Sequence, residues 1–197
     1  MNKKRVAVLI SGRGSNMTAL IEGAREKDYP AEIVLVVSNV PDALGLERAH
    51  EAGIPTAVVD HRPFGEDREA FERALDAELQ ARRIDLVCLA GFIRLLTPWL
   101  VTRWSGRTLN IHPALLPQFK GLHTHRRAIE AGVARHGATV HFVSLEVDSG
   151  PIILQDSVPV ADGDTEETLA KRVLEVEHRI YPQALRLVAE GRVTFSK

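Results

Sequence analysis

The segment Leu109-Asn110-Ile111-His112-Pro113 sets an amide and an imidazole two residues apart. On an extended strand such positions share one face, so Asn110 and His112 point the same way. Histidine exchanges protons near neutral pH, and an asparagine N–H₂ can hold a developing oxyanion without titrating. The pair suits addition to a carbonyl. A satisfied histidine at a strand end is the plainer reading of this segment alone. A third candidate is Asp148, in the turn Asp148-Ser149-Gly150-Pro151. A carboxylate beside His112 would favour the charged imidazole, although aspartate is also ordinary turn chemistry.

A second kind of chemistry lies in Ser11-Gly12-Arg13-Gly14-Ser15-Asn16, between an apolar run and a helical pattern. A glycine-rich turn into a helix offers free N–H groups and a positive dipole end, which suits a phosphate. It is not a Walker A loop, because the lysine is absent. It is not a full G-x-G-x-x-G either, because Met17 stands where the third glycine belongs. A tight turn capped by Ser15 or Asn16 is the alternative. Further on, Gly91-Phe92-Ile93-Arg94-Leu95-Leu96 forms an apolar lip with one cation, fit for a flat, partly apolar ligand; a solvated arginine at a helix start is the bland alternative. His112, His123, His125, His136, His141 and His178 crowd the second half, which keeps a zinc or iron site in play. Against a metal, no H-E-x-x-H signature exists, and Cys88 is the sole cysteine. Cys88 reads as a small buried hydrophobe. His50, His61 and the charges across 66–82 read as surface groups.

These residues need a scaffold. Short β-branched runs at 6–10, 33–37, 56–59, 86–90 and 108–111 predict strands, and helical patterns at 15–25, 43–52, 66–82 and 98–104 lie between them. Such alternation predicts an α/β fold, a doubly wound Rossmann-like sheet with helices on both faces. Runs at 139–145 and 152–160 are joined by a turn with no helix between, so they predict added antiparallel strands. A long C-terminal helix follows near 165–190, capped by Asp164, with Pro182 expected to kink or interrupt it. Ligands of such sheets bind beyond the carboxyl ends of the strands, where the candidate loops fall.

The bulk numbers narrow the class. The 197 residues are 45% apolar and 26% charged, the balance of a soluble globular chain. With 25 Lys+Arg against 26 Asp+Glu, no basic excess marks a nucleic-acid partner. The longest apolar stretch near the middle, 86–93, is far short of the ~20 residues a membrane helix needs. No secretory signal is evident at the N-terminus, so a cytoplasmic location is expected.

Together VLISGRGSNM, SNVPDALGLERAHEAGI, LAGFIRLL, LNIHPALLPQFKGLHTHRRAIEAG, HGATVHFV, DSGPIILQ and EHRIYP resemble one family, phosphoribosylglycinamide formyltransferase. The likeness runs from Val6 to about Arg192. LNIHPALLP followed by GLHTH is its most specific part; N-I-H-P alone would indicate only the wider formyl-tetrahydrofolate superfamily. The resemblance implies a single domain over 1–197, with a nucleotide-binding half (about 1–104) and a catalytic, folate-binding half (105–197). It implies Asn110, His112 and Asp148 as catalytic, and Gly14, Ser15, Asn16 and Glu177 as contacts of glycinamide ribonucleotide. It places folate against Arg68, Phe92, Ile93, Arg94, Leu95, Leu96, Asn110, Ser144, Leu145, Glu146, Val147 and Asp148. The implied co-substrate is 10-formyltetrahydrofolate, with no metal, no nucleic acid, no membrane, and a monomer or homodimer.

Rivals remain at this stage. Methionyl-tRNA formyltransferase shares N-I-H-P but carries a further domain and a basic surface; formyltetrahydrofolate hydrolase carries an additional N-terminal domain. A non-catalytic nucleotide- or folate-binding module and a metal-dependent hydrolase belong to other classes. Loss of turnover with retained binding in Asn110→Ala separates the first of these, and stoichiometric metal the second.

Overall fold

Seven of the β-branched runs form one sheet in a computed structural model that describes residues 3–195. The strands are β1 (Lys4–Ile10), β2 (Ala31–Ser38), β3 (Thr56–Val58), β4 (Leu86–Leu89), β5 (Thr108–His112), β6 (Arg135–Phe142) and β7 (Ile152–Pro159). Their order is β3-β2-β1-β4-β5-β6-β7. The first five are parallel, and β6 and β7 add antiparallel. The expected mixed, doubly wound sheet is the one found.

β1 shows why the sheet is covered on both faces. Val6, Val8 and Ile10 pack with α1 (Ser15–Ala24), α2 (Leu44–Glu51), α5 (Thr124–Glu130) and α6 (Glu166–Ala189). The alternate residues Ala7 and Leu9 pack with Phe71, Leu75 and Leu79 of α3 (Arg68–Ala81) and with Leu100 of α4 (Pro98–Arg103). A strand buried on both faces reads as an unbroken apolar run, as VAVLI does.

Several expectations need correction. Helix α5 lacks a long apolar stripe, burying only Thr124 and Ala128, so periodicity did not reveal it. β6 begins at Arg135, four residues before the predicted start, and ends at Phe142. It can start early because Gly137 lies against β7: a Cβ there would sit 2.1 Å from the Asp156 carbonyl oxygen. The cap of α6 is Thr165, not Asp164; Thr165 and Thr168 form a reciprocal box, while the Asp164 carboxylate accepts from the Ala161 N–H at 2.7 Å. Pro182 does not interrupt α6. It packs on Gly23 of α1, where any Cβ would lie 2.6 Å from the proline ring. Nor are all charges of α3 at the surface. Glu72 and Asp76 are buried beside Phe71 and Leu75, because the inward face of this helix is wider than its leucine row. Asp76 accepts from Trp104 Nε1 at 2.8 Å and from Arg103 Nε at 3.0 Å, tying α3 to α4. His61 is half-buried, its Nδ1 2.9 Å from the Asn39 carbonyl oxygen. Among the described residues no helix is long and apolar enough to cross a membrane.

Candidate active site

The chain leaves β1 toward β2 on one side and reaches β5 from β4 on the other, so the strand order reverses between β1 and β4. Loops on either side of such a reversal separate and leave a crevice at the strand carboxyl ends. The turn after β1, the 90–97 segment after β4 and the 113–123 segment after β5 start at that edge.

Antiparallel pairing of β5 with β6 sets Asn110 opposite His141 and His112 opposite Thr139. The loop between β6 and β7 then returns Asp148 to the end of β5. Asp148 Oδ2 lies 3.5 Å from His112 Nδ1, and Oδ1 lies 3.8 Å from His141 Nε2. The loop is held in this course by backbone demands. Asp148 has φ 51°, a left-handed conformation that aspartate tolerates better than most residues. A Cβ on Gly150 would meet the Phe142 carbonyl oxygen at 1.7 Å, so only glycine fits there. The Asp148 carboxylate also accepts the Gly121 N–H at 2.9 Å, joining both loops.

Burial of His141 lowers its pKa, outweighing the neighbouring Asp148. The ring is therefore neutral near pH 7. Its Nδ1–H donates to the Phe142 carbonyl at 2.8 Å, which leaves Nε2 as an acceptor. Asn110 Nδ2 stands 3.4 Å from that nitrogen. The amide is thus oriented with its N–H₂ end toward His141, and one N–H remains for another acceptor. His112 Nε2 faces the Phe119 carbonyl oxygen at 3.0 Å. This fixes the ring with Nε2–H as donor and turns Nδ1 toward Asp148. At 3.5 Å that contact exceeds an ordinary hydrogen bond, so Nδ1 is the less committed of the two nitrogens.

The turn after β1 has the form suited to an anion. Gly14 is the N-cap of α1 at φ 71°, with no side-chain cap, so the first N–H groups of the helix are not taken by a capping side chain. Ser15 and Asn16 are its first helical residues rather than its cap. Asn16 Nδ2 donates to Glu177 Oε2 at 2.6 Å across 161 residues of sequence. Burial raises the Glu177 pKa, against the lowering pull of that bond. Asn16 Oδ1 is buried without a partner, an acceptor pointing at nothing in the protein. Two residues chosen from separate motifs are thereby in direct contact.

The proposed folate groups are of another kind. Ile93 is 81% exposed, Leu95 62% and Leu145 69%, a concentration of bare apolar side chains on two loops. Phe92 and Leu96 are half-buried, and Arg94 lies over the Phe71 ring at 5.4 Å. Arg68 is exposed at the first turn of α3, one helical turn from Phe71. Ser144 is half-buried, while Glu146 and Val147 are exposed. Lys120, which sequence reasoning passed over, donates to Ser149 Oγ at 2.5 Å and pairs with Glu146 at 3.2 Å, so it ties the 144–149 loop to the 113–123 segment. Only the fold exposes that role; nothing local to Lys120 signals it.

The other histidines separate from the cluster. His136 is fully buried, its ring edge-on to those of His125 and Phe119, and burial takes its pKa down to about 4. Among the described residues no three His, Cys, Asp or Glu side chains are placed to hold one metal ion. Cys88 is buried in β4, which pushes its thiol up to about 12.

With this geometry in hand, comparison with known proteins is decisive. A family model described as Formyl transferase matches residues 4–185. The chain belongs to the formyl transferase family. Within that family it is similar to the phosphoribosylglycinamide formyltransferases. The phosphoribosylglycinamide formyltransferase of Escherichia coli (strain K12) is 47% identical over 188 residues, 95% of this chain and 88% of that protein. The trifunctional purine biosynthetic protein adenosine-3 of Gallus gallus is 54% identical over 192 residues, and this chain spans only 19% of its length. The crystal structure of the Brucella melitensis phosphoribosylglycinamide formyltransferase shares 50% identity at a TM-score of 0.92, covering 99% of this chain and 100% of that one. The family expected from the motifs is the one found, and the fold agrees with the Brucella melitensis structure over 99% of this chain.

Proposed function

We propose that the protein transfers the formyl group of 10-formyltetrahydrofolate to the amine of 5'-phosphoribosylglycinamide, giving phosphoribosyl-N-formylglycinamide and tetrahydrofolate. The observation that carries this reading is the convergence of Asn110, His112 and Asp148 at one strand end, beside a glycine turn fit for phosphate. The ribonucleotide phosphate docks on the N–H groups of Gly14, Ser15 and Asn16. Glu177, held by Asn16, accepts from the ribose side. The donor's heterocycle lies between the 92–96 lip and the 144–148 loop, with Arg68 available to its acidic tail.

The amine nitrogen attacks the formyl carbon, and the carbonyl π electrons move to oxygen. The free Asn110 N–H and the His112 Nδ1–H donate to that oxyanion, each worth about 3–4 kcal/mol to the barrier. Asp148 sets its carboxylate 3.5 Å from Nδ1, and the Phe119 carbonyl accepts from Nε2–H. Collapse breaks the bond to the folate nitrogen, and the amine proton passes to that nitrogen through Asp148 and water. The protein works in the cytoplasm as a monomer or homodimer.

A formyl-transfer assay with 10-formyltetrahydrofolate, run with and without glycinamide ribonucleotide, tests the reading. Tetrahydrofolate formed only with the ribonucleotide supports it. Equal product without the ribonucleotide means a hydrolase and contradicts it.

A further inference from the structure

The segment Phe92–Leu96 makes no backbone–backbone hydrogen bond among the described residues. A chain of this kind has nothing of its own to hold one path. Two polar anchors hold its ends instead. At the upstream end, the Ser11 N–H donates to the Gly91 carbonyl at 3.1 Å, and the Ile93 N–H donates to Ser11 Oγ at 2.8 Å. The Ser11 hydroxyl in turn donates to Oδ1 of the buried Asn39 at 2.5 Å. At the downstream end, the Thr97 N–H donates to Glu72 Oε1 at 2.6 Å, and the Thr97 hydroxyl donates to Oε2. Between the anchors, Arg94 rests on the Phe71 ring.

Glu72 is the unusual member. It is 1% exposed, and both of its oxygens go to Thr97 rather than to a cation. A buried carboxylate without a cation is a poor way to stabilise a fold, because desolvation opposes what its hydrogen bonds return. Its bonds fall on the residue where the irregular segment meets α4. They decide where the segment ends, as Ser11 decides where it begins.

We infer that Glu72 and Ser11 are positioning residues for the formyl donor: they draw 91–97 into a strap whose backbone and bare Ile93 and Leu95 are set before the ligand arrives. A ligand meeting a preset strap is spared the ordering of a free loop, so the anchors act on donor affinity and not on the chemical step. Ser11 also opens the glycine turn, so one side chain joins the acceptor loop to the donor strap. The inference rests on the proposed reading of 92–96 as the donor surface.

The test measures the KM of each substrate and kcat in Glu72→Gln, Thr97→Val and Ser11→Ala. The expected result is a donor KM raised about five- to twentyfold in the first two and less in the third, with kcat within about twofold throughout and the ribonucleotide KM unchanged in Glu72→Gln and Thr97→Val. Thr97→Ser, which keeps the hydroxyl, is expected to restore the donor KM. The same variants are titrated with folic acid by intrinsic tryptophan fluorescence, which reads the strap whether or not the wild type turns over. A wild type that binds folic acid but transfers no formyl group overturns the proposed reaction alone. Unchanged folic acid affinity in both Glu72→Gln and Thr97→Val overturns the strap. So does an equal rise of both KM values accompanied by a lower melting temperature, which would mark Glu72 as merely structural.

Discussion

The polar cluster at the end of β5 and the apolar surfaces of the 92–96 and 144–148 segments meet the same proposed substrate but are built in opposite ways. Asn110, His112 and His141 are placed by sheet register, the β6–β7 loop returns Asp148 to them, and the four stand at contacts of 3.4 to 3.8 Å. The two loops show mainly bare apolar side chains and are tied at few points, by Ser11, Glu72 and Lys120. Chemistry tolerates little displacement of a donor, so Asn110 and His112 sit at a strand end. Recognition of a flat apolar ring is less directional, and loops with fixed ends suffice.

This contrast orders the expected effects. The largest is for Asp148→Asn, which keeps a side-chain oxygen for the Gly121 N–H but removes the charge beside His112. Its kcat is expected to fall by at least about a hundredfold with the melting temperature little changed; near-full turnover would break the proposed role. Next is His141→Phe, which takes away the acceptor that orients the Asn110 amide. A loss near tenfold in kcat, the rate equivalent of about one hydrogen bond, is expected with both KM values kept. Leu95→Ala acts on the other region, and its signature is inverted: a donor KM raised about three- to tenfold at constant kcat. If Leu95→Ala lowered kcat and His141→Phe raised KM, the division between the two regions would be wrong.

The smallest effect on activity belongs to His136→Phe, which is expected to leave kcat at pH 7 within about twofold. Its effect is on stability. The buried His136 has its pKa lowered to about 4, so the folded chain resists a proton that the unfolded chain accepts below about 6.5. Stability from the neutral ring is therefore full above that pH and is lost as pH falls toward 4, by about 3 kcal/mol at most. Urea unfolding at pH 7 and at pH 4.5 checks the sign: the wild type is expected to lose more than the variant. Equal losses would remove His136 from the account.

Much of this was legible in the sequence, for identifiable reasons. VAVLI and LVCLA announce strands because burial on both faces leaves no polar alternation to misread. The family resemblance assigned Asn16 and Glu177 to one ligand from motifs far apart in sequence, and the fold brings their side chains to 2.6 Å. What stayed hidden depends on long-range register. His141 was one histidine among several until β5–β6 pairing set it opposite Asn110. Glu72 looked like any helix charge until the inward turn of α3 buried it against Thr97. The cap of α6 was misplaced by one residue, because Asp164 and Thr165 both carry capping side chains and only geometry chooses between them.

The central claim is that the polar cluster of Asn110, His112 and Asp148 performs the transfer while the apolar side chains of the two loops only bind. Single-turnover formyl transfer by Asn110→Ala, with both substrates saturating and folic acid affinity measured alongside, tests it most directly. The account predicts a rate lower by about a hundred- to a thousandfold with folic acid affinity kept within a few-fold. A rate near wild type, or a loss explained wholly by weaker binding, would contradict it.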